Sequence, residues 1–195
     1  MAKKAILLDL DGTIWESYSW YARILSEAAG GSIAKLIQQL RAGNSVMSMC
    51  NACGLSASNF RRLCVASVKT LPLYPEVIQC IEELNRRGHP LGVVTNLSGR
   101  LAEPLLRELG LAEKFGVVIH AGNCRYRKPS PEPLLMALQA IEGEPSISWF
   151  VGDKSSDAET AAAAGVRFAW ASYGYGDKCP DDAVILKHFR DVLGL

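Results

Sequence analysis

The sequence lacks an excess of charge of either sign: 21 lysines and arginines against 20 aspartates and glutamates leave a formal net charge of +1. Nothing in that balance recruits nucleic acid or an anionic membrane, and neither is expected as a partner. The chain also lacks any apolar run close to the roughly 18 residues of a membrane span. The run that follows Lys3 and Lys4 breaks at Asp9, short of the roughly 7 to 15 apolar residues of a secretory core, so a cytoplasmic protein is expected. Histidine is scarce, and His89, His120 and His188 have no ligand spacing among them. No internal repeat or low-complexity tract is present.

Cysteine is better represented, at positions 50, 53, 64, 80, 124 and 179. Without a secretory leader these read as reduced thiols rather than a disulfide framework. Cys50 and Cys53 have the spacing of a metal or redox pair, but no second pair or histidine cluster completes a site. A structural or incidental role is expected for them.

A length of 195 residues, 49% hydrophobic and 21% charged, suits one sizeable core with a small accessory unit. After residue 73 the pattern alternates between helix and strand. Pro75 opens a helix with Val77, Ile78, Ile81 and Leu84 on one face, closed by Gly88. Strands are expected at 91–95, 115–119, 147–151 and 166–170. Helices are expected at 98–109, with Pro104 as an irregularity, at 130–141, from a capping box of Ser156 and Glu159 to Gly165, and at 186–193. Such alternation implies a parallel sheet covered on both faces. The segment between breaks the rhythm, with helices at about 17–29, 32–42 and 56–69 and no convincing strand. It is basic, with Arg23, Lys35, Arg41, Arg61, Arg62 and Lys69 against Glu16 and Glu27. The expected organisation is α/β: a Rossmann-like three-layer core with a central parallel sheet from 1–14 and 73–195, and a small α-helical cap from 15–72 inserted after the first strand.

In an open parallel sheet, ligands sit beyond the carboxyl ends of the strands. Four such ends carry suitable side chains. Asp9 and Asp11 are two apart, so on an extended backbone their carboxylates point the same way. Two carboxylates at close range oppose each other's ionisation, which favours a metal or one retained proton; a plain polar turn is the alternative. Gly12 lets the chain turn away and leaves space for a ligand. Thr95 and Asn96 offer a hydroxyl and amides to phosphate oxygens, or form a turn. Lys128 stands immediately before a proline-initiated helix, and Asp153 and Asp157 follow the strand at 147–151.

Together these residues suit phosphoryl transfer. A carboxylate approaching a phosphoryl dianion meets two like charges, each opposing it by roughly 4 kcal/mol at 4 Å in an effective dielectric near 20. Countercharge is therefore needed. Mg²⁺ binds through one or two carboxylates with substrate phosphate and water, and Asp9 and Asp153 could supply the carboxylates while Lys128 adds a cation.

The segments "DLDGT", "VVTN", "RKPSPEP" and "VGDKSSD", in this order, resemble the four motifs of the haloacid dehalogenase superfamily. "LYPEV", "LAEPLLRELGL" and "AETAAAAGV" extend the resemblance to phosphoglycolate phosphatase-type members with a helical cap. The resemblance implies that Asp9 is a nucleophile forming an aspartyl-phosphate. It implies that Asp11 protonates the leaving oxygen and then takes a proton from water. Mg²⁺ would be held by the side chains of Asp9 and Asp153 and the backbone carbonyl of Asp11. Asp157 would support that shell and orient Lys128, while Thr95, the Asn96 amide and Lys128 would hold the phosphoryl group and Thr13 would brace the loop.

The expected activity is Mg²⁺-dependent hydrolysis of a small phosphorylated metabolite, phosphoglycolate-, sugar-phosphate- or nucleotide-like, by a monomer or homodimer. The alternative is a sugar phosphomutase of the same superfamily. Dehalogenation is disfavoured, because dehalogenases generally lack the aspartate that stands at Asp11. The loop at 41–45 resembles a substrate-selecting cap loop, which makes Arg41 and Asn44 candidates, whereas Arg61 and Arg62 read as a solvated helix face. Lys154 stands where many relatives have serine, and either tunes affinity for the ligand or faces solvent. Glu16 stands where such caps often carry Asp at the hinge.

Overall fold

The computed structural model describes residues 3–176, 178–181 and 183–195. Short apolar runs form a six-stranded sheet: β1 (Ile6–Leu8), β2 (Leu91–Val94), β3 (Val117–Ile119), β4 (Trp149–Gly152), β5 (Arg167–Ala171) and β6 (Val184–Leu186). The spatial order is β3-β2-β1-β4-β5-β6 and every pairing is parallel. β1 is therefore central and buried throughout, as a strand covered on both faces requires. Its side chains alternate: Ile6 and Leu8 enter one apolar cluster and Leu7 the other.

Eight α-helices accompany the sheet among the described residues: α1 (Ser17–Ala29), α2 (Ile33–Arg41), α3 (Val46–Ala52), α4 (Ala57–Ala66), α5 (Val77–Arg86), α6 (Gly99–Glu108), α7 (Glu132–Ala140) and α8 (Ser155–Ala164). Residues of α7 and α8 fill the cluster on the Leu7 side, and those of α5 and α6 the cluster on the other. This gives three layers, helix, sheet and helix. α1 to α4 follow β1 without an intervening strand. Trp20, Tyr21, Phe60 and Cys64 of this helical segment share one continuous apolar cluster with Leu101 and Leu105 of α6, so its packing is joined to that of the core. Where the chain leaves for the helical segment and returns, Trp15 pairs antiparallel with Leu73, Glu16 N–H donates to Pro72 O at 2.8 Å and Tyr74 N–H to Ile14 O at 3.1 Å.

Several local expectations are corrected. α5 starts at Val77, after Glu76 in a left-handed conformation (φ 63°), and Ile78 is 41% exposed. Cys80 takes its place, so Val77, Cys80, Ile81 and Leu84 make the buried stripe at i, i+3, i+4 and i+7. α7 begins at Glu132, two residues after the expected start. The cap of α8 is Lys154 with Asp157, rather than Ser156 with Glu159: Lys154 N–H donates to Asp157 Oδ2 at 3.0 Å. The α-helix expected at 186–193 is instead a 3₁₀ turn at Phe189–Gly194 that buries Phe189 and Val192, and it is preceded by an unanticipated edge strand, β6, which ends at Leu186. α3 was not anticipated. Its seven residues span two turns, too few to repeat an apolar stripe, and it is capped by Ser45 Oγ, which accepts from Ser48 N–H at 3.0 Å. Cys50 of α3 is buried and Cys53 exposed, and all six cysteines are free thiols.

Candidate active site

The carboxyl ends of β1, β2, β4 and β5 converge on a cleft of about 920 Å³, roofed by the helical segment. The site starts with Asp9, whose N–H donates to Val151 O at 2.9 Å and so continues the β1–β4 ladder beyond the strand. The sheet thereby fixes the base of the carboxylate. The chain then turns at Leu10, whose carbonyl accepts from the N–H groups of Thr13 and Ile14 at 3.1 and 2.9 Å. Gly12 makes that turn possible. It has φ +83°, and a Cβ there would collide with the Asp153 carboxylate and approach the Tyr175 ring to 2.8 Å.

Lys128 organises the floor. Its ammonium meets Asp9 Oδ1 at 2.9 Å and Asp157 Oδ1 at 2.7 Å, and donates to Val94 O at 3.2 Å. All three residues are buried, with Lys128 at 5% exposure. Burial opposes the lysine's charge, but Asp157 and Asp9 outweigh it and hold its pKa above the ordinary value. The lysine backbone is clasped by Asn96, which donates through Nδ2 to Lys128 O and accepts at Oδ1 from Lys128 N–H, both at 3.1 Å. Thr95 is buried beside it, and its hydroxyl accepts from Leu97 N–H at 3.2 Å.

Asp11 lies across the turn from Asp9. Its Oδ1 accepts from Trp15 Nε1–H at 2.7 Å and from Tyr21 O–H at 3.4 Å. Burial raises its pKa and the Asp9 charge adds to the rise, while the Trp15 bond opposes it. That environment favours a retained proton, as an acid in transfer chemistry needs.

Asp153 completes an acidic group with Asp9 and Asp157, whose carboxylate oxygens lie within 4.8 Å of one another. Asp153 is fully buried. Its Oδ2 accepts from Tyr175 N–H at 2.7 Å, but its Oδ1 finds no partner among the described residues. Burial, with Asp9 and Asp157 adding to it, pushes its pKa up to about 7. An orphaned buried oxygen beside two more carboxylates is a set of hard, oxygen-only donors short of positive charge. It fits a divalent cation of the Mg²⁺ type.

The Thr13 side chain is buried and its hydroxyl has no partner among the described residues; the Thr13 contact that ties the turn down is its carbonyl, which accepts from Tyr173 O–H at 3.1 Å. Arg41 and Asn44 both line the cleft. Arg61 lines it too, which corrects its placement on a solvated face, whereas Arg62 is exposed. Lys154 faces the cleft, with its ammonium 5.4 Å from the Tyr18 ring centre and 5.9 Å from that of Tyr175. Glu16 caps α1, accepting from Ser19 N–H at 3.3 Å.

Tyr175 was missed. It lies in the Ser172–Gly176 segment that follows β5, and its ring stacks on Tyr18 of α1 at 3.6 Å and 7°. Its phenol oxygen accepts from the N–H groups of Ser17 and Tyr18, the latter at 3.1 Å, while its own N–H holds Asp153. One residue thus ties a floor carboxylate to the first turn of α1. The signal was present: "SYGYG" stands at a strand's carboxyl end, where the other four candidate segments were sought.

The parallel 3-2-1-4-5-6 sheet, the inserted helical segment and a lysine bridging strand-end Asp9 to Asp157 of α8 go with the hydrolase class that the family match gives. The chain belongs to the haloacid dehalogenase-like hydrolases, whose family pattern matches residues 3–165. It stands among their phosphoric monoester hydrolases. It is 31% identical to the N-acetylmuramic acid 6-phosphate phosphatase of Pseudomonas aeruginosa, over 99% of this chain and 94% of that one. It is 38% identical to the phosphoglycolate phosphatase of Escherichia coli, over 53% of this chain and 41% of that one. The fold is similar to that of a subfamily IA hydrolase of the superfamily from Geobacter sulfurreducens, with a TM-score of 0.77, 23% identity and 98% and 95% of the two chains covered. No helix among the described residues is long and apolar enough to cross a membrane.

Proposed function

We propose that this chain is a Mg²⁺-dependent phosphatase that hydrolyses a small phosphorylated metabolite through an aspartyl-phosphate on Asp9. The observation that carries this reading is Lys128, buried and bonded to both Asp9 and Asp157 beside an Asp153 oxygen without a partner. Lys128 holds the Asp9 carboxylate in one orientation at the mouth of β1, which is the preorganisation an in-line nucleophile needs. Asp11, whose surroundings favour its protonated form, donates to the leaving oxygen. It then accepts the proton of the water that cleaves the acyl phosphate.

Thr95 and the Asn96 amide, at the mouth of β2, would bind the transferring phosphoryl oxygens together with Lys128. The side chains of Asp9 and Asp153 and the backbone carbonyl of Asp11, supported by Asp157, would hold the divalent cation. Bound there, it would neutralise the phosphoryl group's charge against the acidic floor. The names of the relatives, one acting on N-acetylmuramic acid 6-phosphate and one on phosphoglycolate, support a small phosphorylated metabolite as the substrate.

Purified protein should release inorganic phosphate from p-nitrophenyl phosphate with Mg²⁺ and not in excess chelator. Equal release in chelator would overturn the cation's role. Formation of an isomeric sugar phosphate from a hexose 1-phosphate, without phosphate release, would instead establish a mutase.

A further inference from the structure

The first helix of the inserted segment takes its start from a distant residue. A helix leaves its first N–H groups without partners of its own. In α1 the N–H groups of Ser17 and Tyr18 both donate to the phenol oxygen of Tyr175, the latter at 3.1 Å, and that phenol donates to Glu16 Oε1 at 3.3 Å. Glu16 in turn accepts from Ser19 N–H. The opening turn of α1 is therefore capped from the segment that follows β5. Stacking of the Tyr175 ring on Tyr18, at 3.6 Å and 7°, fixes the approach of the helix as well.

The other end of Tyr175 stands on Asp153. Its N–H donates to Asp153 Oδ2 at 2.7 Å, while Oδ1 has no partner among the described residues. The backbone on either side lies so close that a Cβ at Gly174 or Gly176 would collide with Asp153. A shift of the Asp153 carboxylate is thus carried to Tyr175, and through the phenol to the first turn of α1. From there the path returns to the cleft: Tyr21, one turn further along α1, donates its O–H to Asp11 Oδ1 at 3.4 Å. A cation bound at Oδ1 would fix the plane of the Asp153 carboxylate, and with it the direction in which Oδ2 meets the Tyr175 N–H.

We propose that Tyr175 is a positioning residue that couples the cation at Asp153 to the docking of α1, and so to the hydrogen bond that Tyr21 gives Asp11. The inference rests on the proposed cation site and goes beyond it, because it makes the inserted segment respond to the metal. The proton donor is then braced only when the charge that receives the phosphoryl group is in place. A tie that served the fold alone would hold α1 equally with and without metal.

The test is amide hydrogen exchange, followed by NMR, on the unaltered protein and on Tyr175→Phe, each without and with saturating Mg²⁺. The readout is the ratio of the two rates, since loss of the phenol changes the absolute rates by itself. In the unaltered protein Mg²⁺ should slow exchange at Ser17 and Tyr18 by at least about fivefold, and in Tyr175→Phe by less than about twofold. Coupling is reciprocal, so the variant should also bind Mg²⁺ more weakly in calorimetry, by about two- to fivefold. Tyr173→Phe removes a phenol of the same segment that meets Thr13 O rather than α1, and should keep the full Mg²⁺ effect. Equal slowing in the unaltered and Tyr175→Phe proteins, or binding of Mg²⁺ with no slowing in the unaltered one, overturns the inference. Absence of Mg²⁺ binding overturns the cation site and the inference with it. Phosphate release from p-nitrophenyl phosphate reports separately: slowing without release removes the phosphatase reading alone, and Mg²⁺-dependent release without slowing removes the coupling alone.

Discussion

The floor of the cleft and its rim are built on opposite principles. On the floor, Asp9, Lys128, Asp153 and Asp157 are no more than 6% exposed, and the one cation is shared between two carboxylates at 2.7 and 2.9 Å. On the rim, Arg41, Arg127 and Lys178 are exposed, and no described acid pairs with them. Asp9 and Asp153 follow strand ends that the sheet holds in place, and Lys128 and Asp157 are locked to each other and to Asp9. The rim is drawn largely from loops and from the helical segment, which crosses to the core twice and packs on α6. On the proposed function, chemistry common to many esters would be fixed by mutual bonds, and choice among esters left to side chains that can be exchanged without loss of the fold.

Changes on the floor should be the most damaging. Asp9→Asn removes the proposed nucleophile while keeping its shape, and phosphate release should fall by at least about a thousandfold with an unchanged circular dichroism spectrum. Activity above a tenth of the original would break the assignment of Asp9. Lys128→Met should be nearly as severe for activity and worse for the fold. It leaves Asp9 and Asp157 buried without their cation, a loss of about 3 to 5 kcal/mol that denaturant titration would register.

Asp153 separates floor from rim through pH. Its folded pKa, about 7, is raised above that of an unfolded aspartate, so the folded protein retains a proton that the unfolded chain releases. The stability this lends is fully present below the unfolded value and is lost as pH rises through about 7. In the cation-free protein, the midpoint of thermal unfolding should therefore fall between pH 5 and pH 8 relative to Asp153→Asn. Added Mg²⁺ should restore more stability at pH 8 than at pH 5, because it binds the ionised carboxylate. A pH-independent Mg²⁺ effect would contradict that placement.

Tyr175 joins the two regions. Tyr175→Phe keeps the stack on Tyr18 and the backbone bond to Asp153 and removes the phenol's bonds, accepted from Ser17 and Tyr18 N–H and donated to Glu16 Oε1. The expected loss is about 1 kcal/mol, some fivefold in kcat, with KM for a small aryl phosphate nearly constant. The smallest effect is expected at Arg62, which is exposed and outside the cleft lining. Arg62→Gln should change neither stability nor ligand preference measurably, in contrast to its neighbour Arg61.

The same contrast governs what could be read without coordinates. Asp9, Asp11, Thr95, Asn96, Lys128, Asp153 and Asp157 were legible because a buried parallel strand is a continuous apolar run and its carboxyl end is a defined place to look. The structure brings the charged members of that set into one floor and clasps Lys128 with Asn96. The place of Tyr175 at a strand's carboxyl end was legible, but its contribution was not, because it is made by a backbone N–H and by a phenol reaching Tyr18, 157 residues earlier in the chain, neither of which has a local pattern. β6 was not read as a strand, and only its last residue, Leu186, fell in the expected helix: Val184 and Ile185 are adjacent apolar residues although 43% and 56% exposed, so the sequence lacks the alternation that marks a half-buried strand. Arg61 and Arg62 are adjacent on one helix, and the packing of that helix on α6 goes with Arg61 lining the cleft and Arg62 facing away from it.

The central claim, that the floor exists to make and break a phosphoryl bond on Asp9, is tested most directly by trapping it. Protein mixed with p-nitrophenyl phosphate and Mg²⁺, quenched in acid within the first turnover and mapped by peptide mass spectrometry, should carry one acid-stable phosphoryl group on the peptide that contains Asp9. Phosphate release with no such adduct, or an adduct on a different residue, would contradict the account.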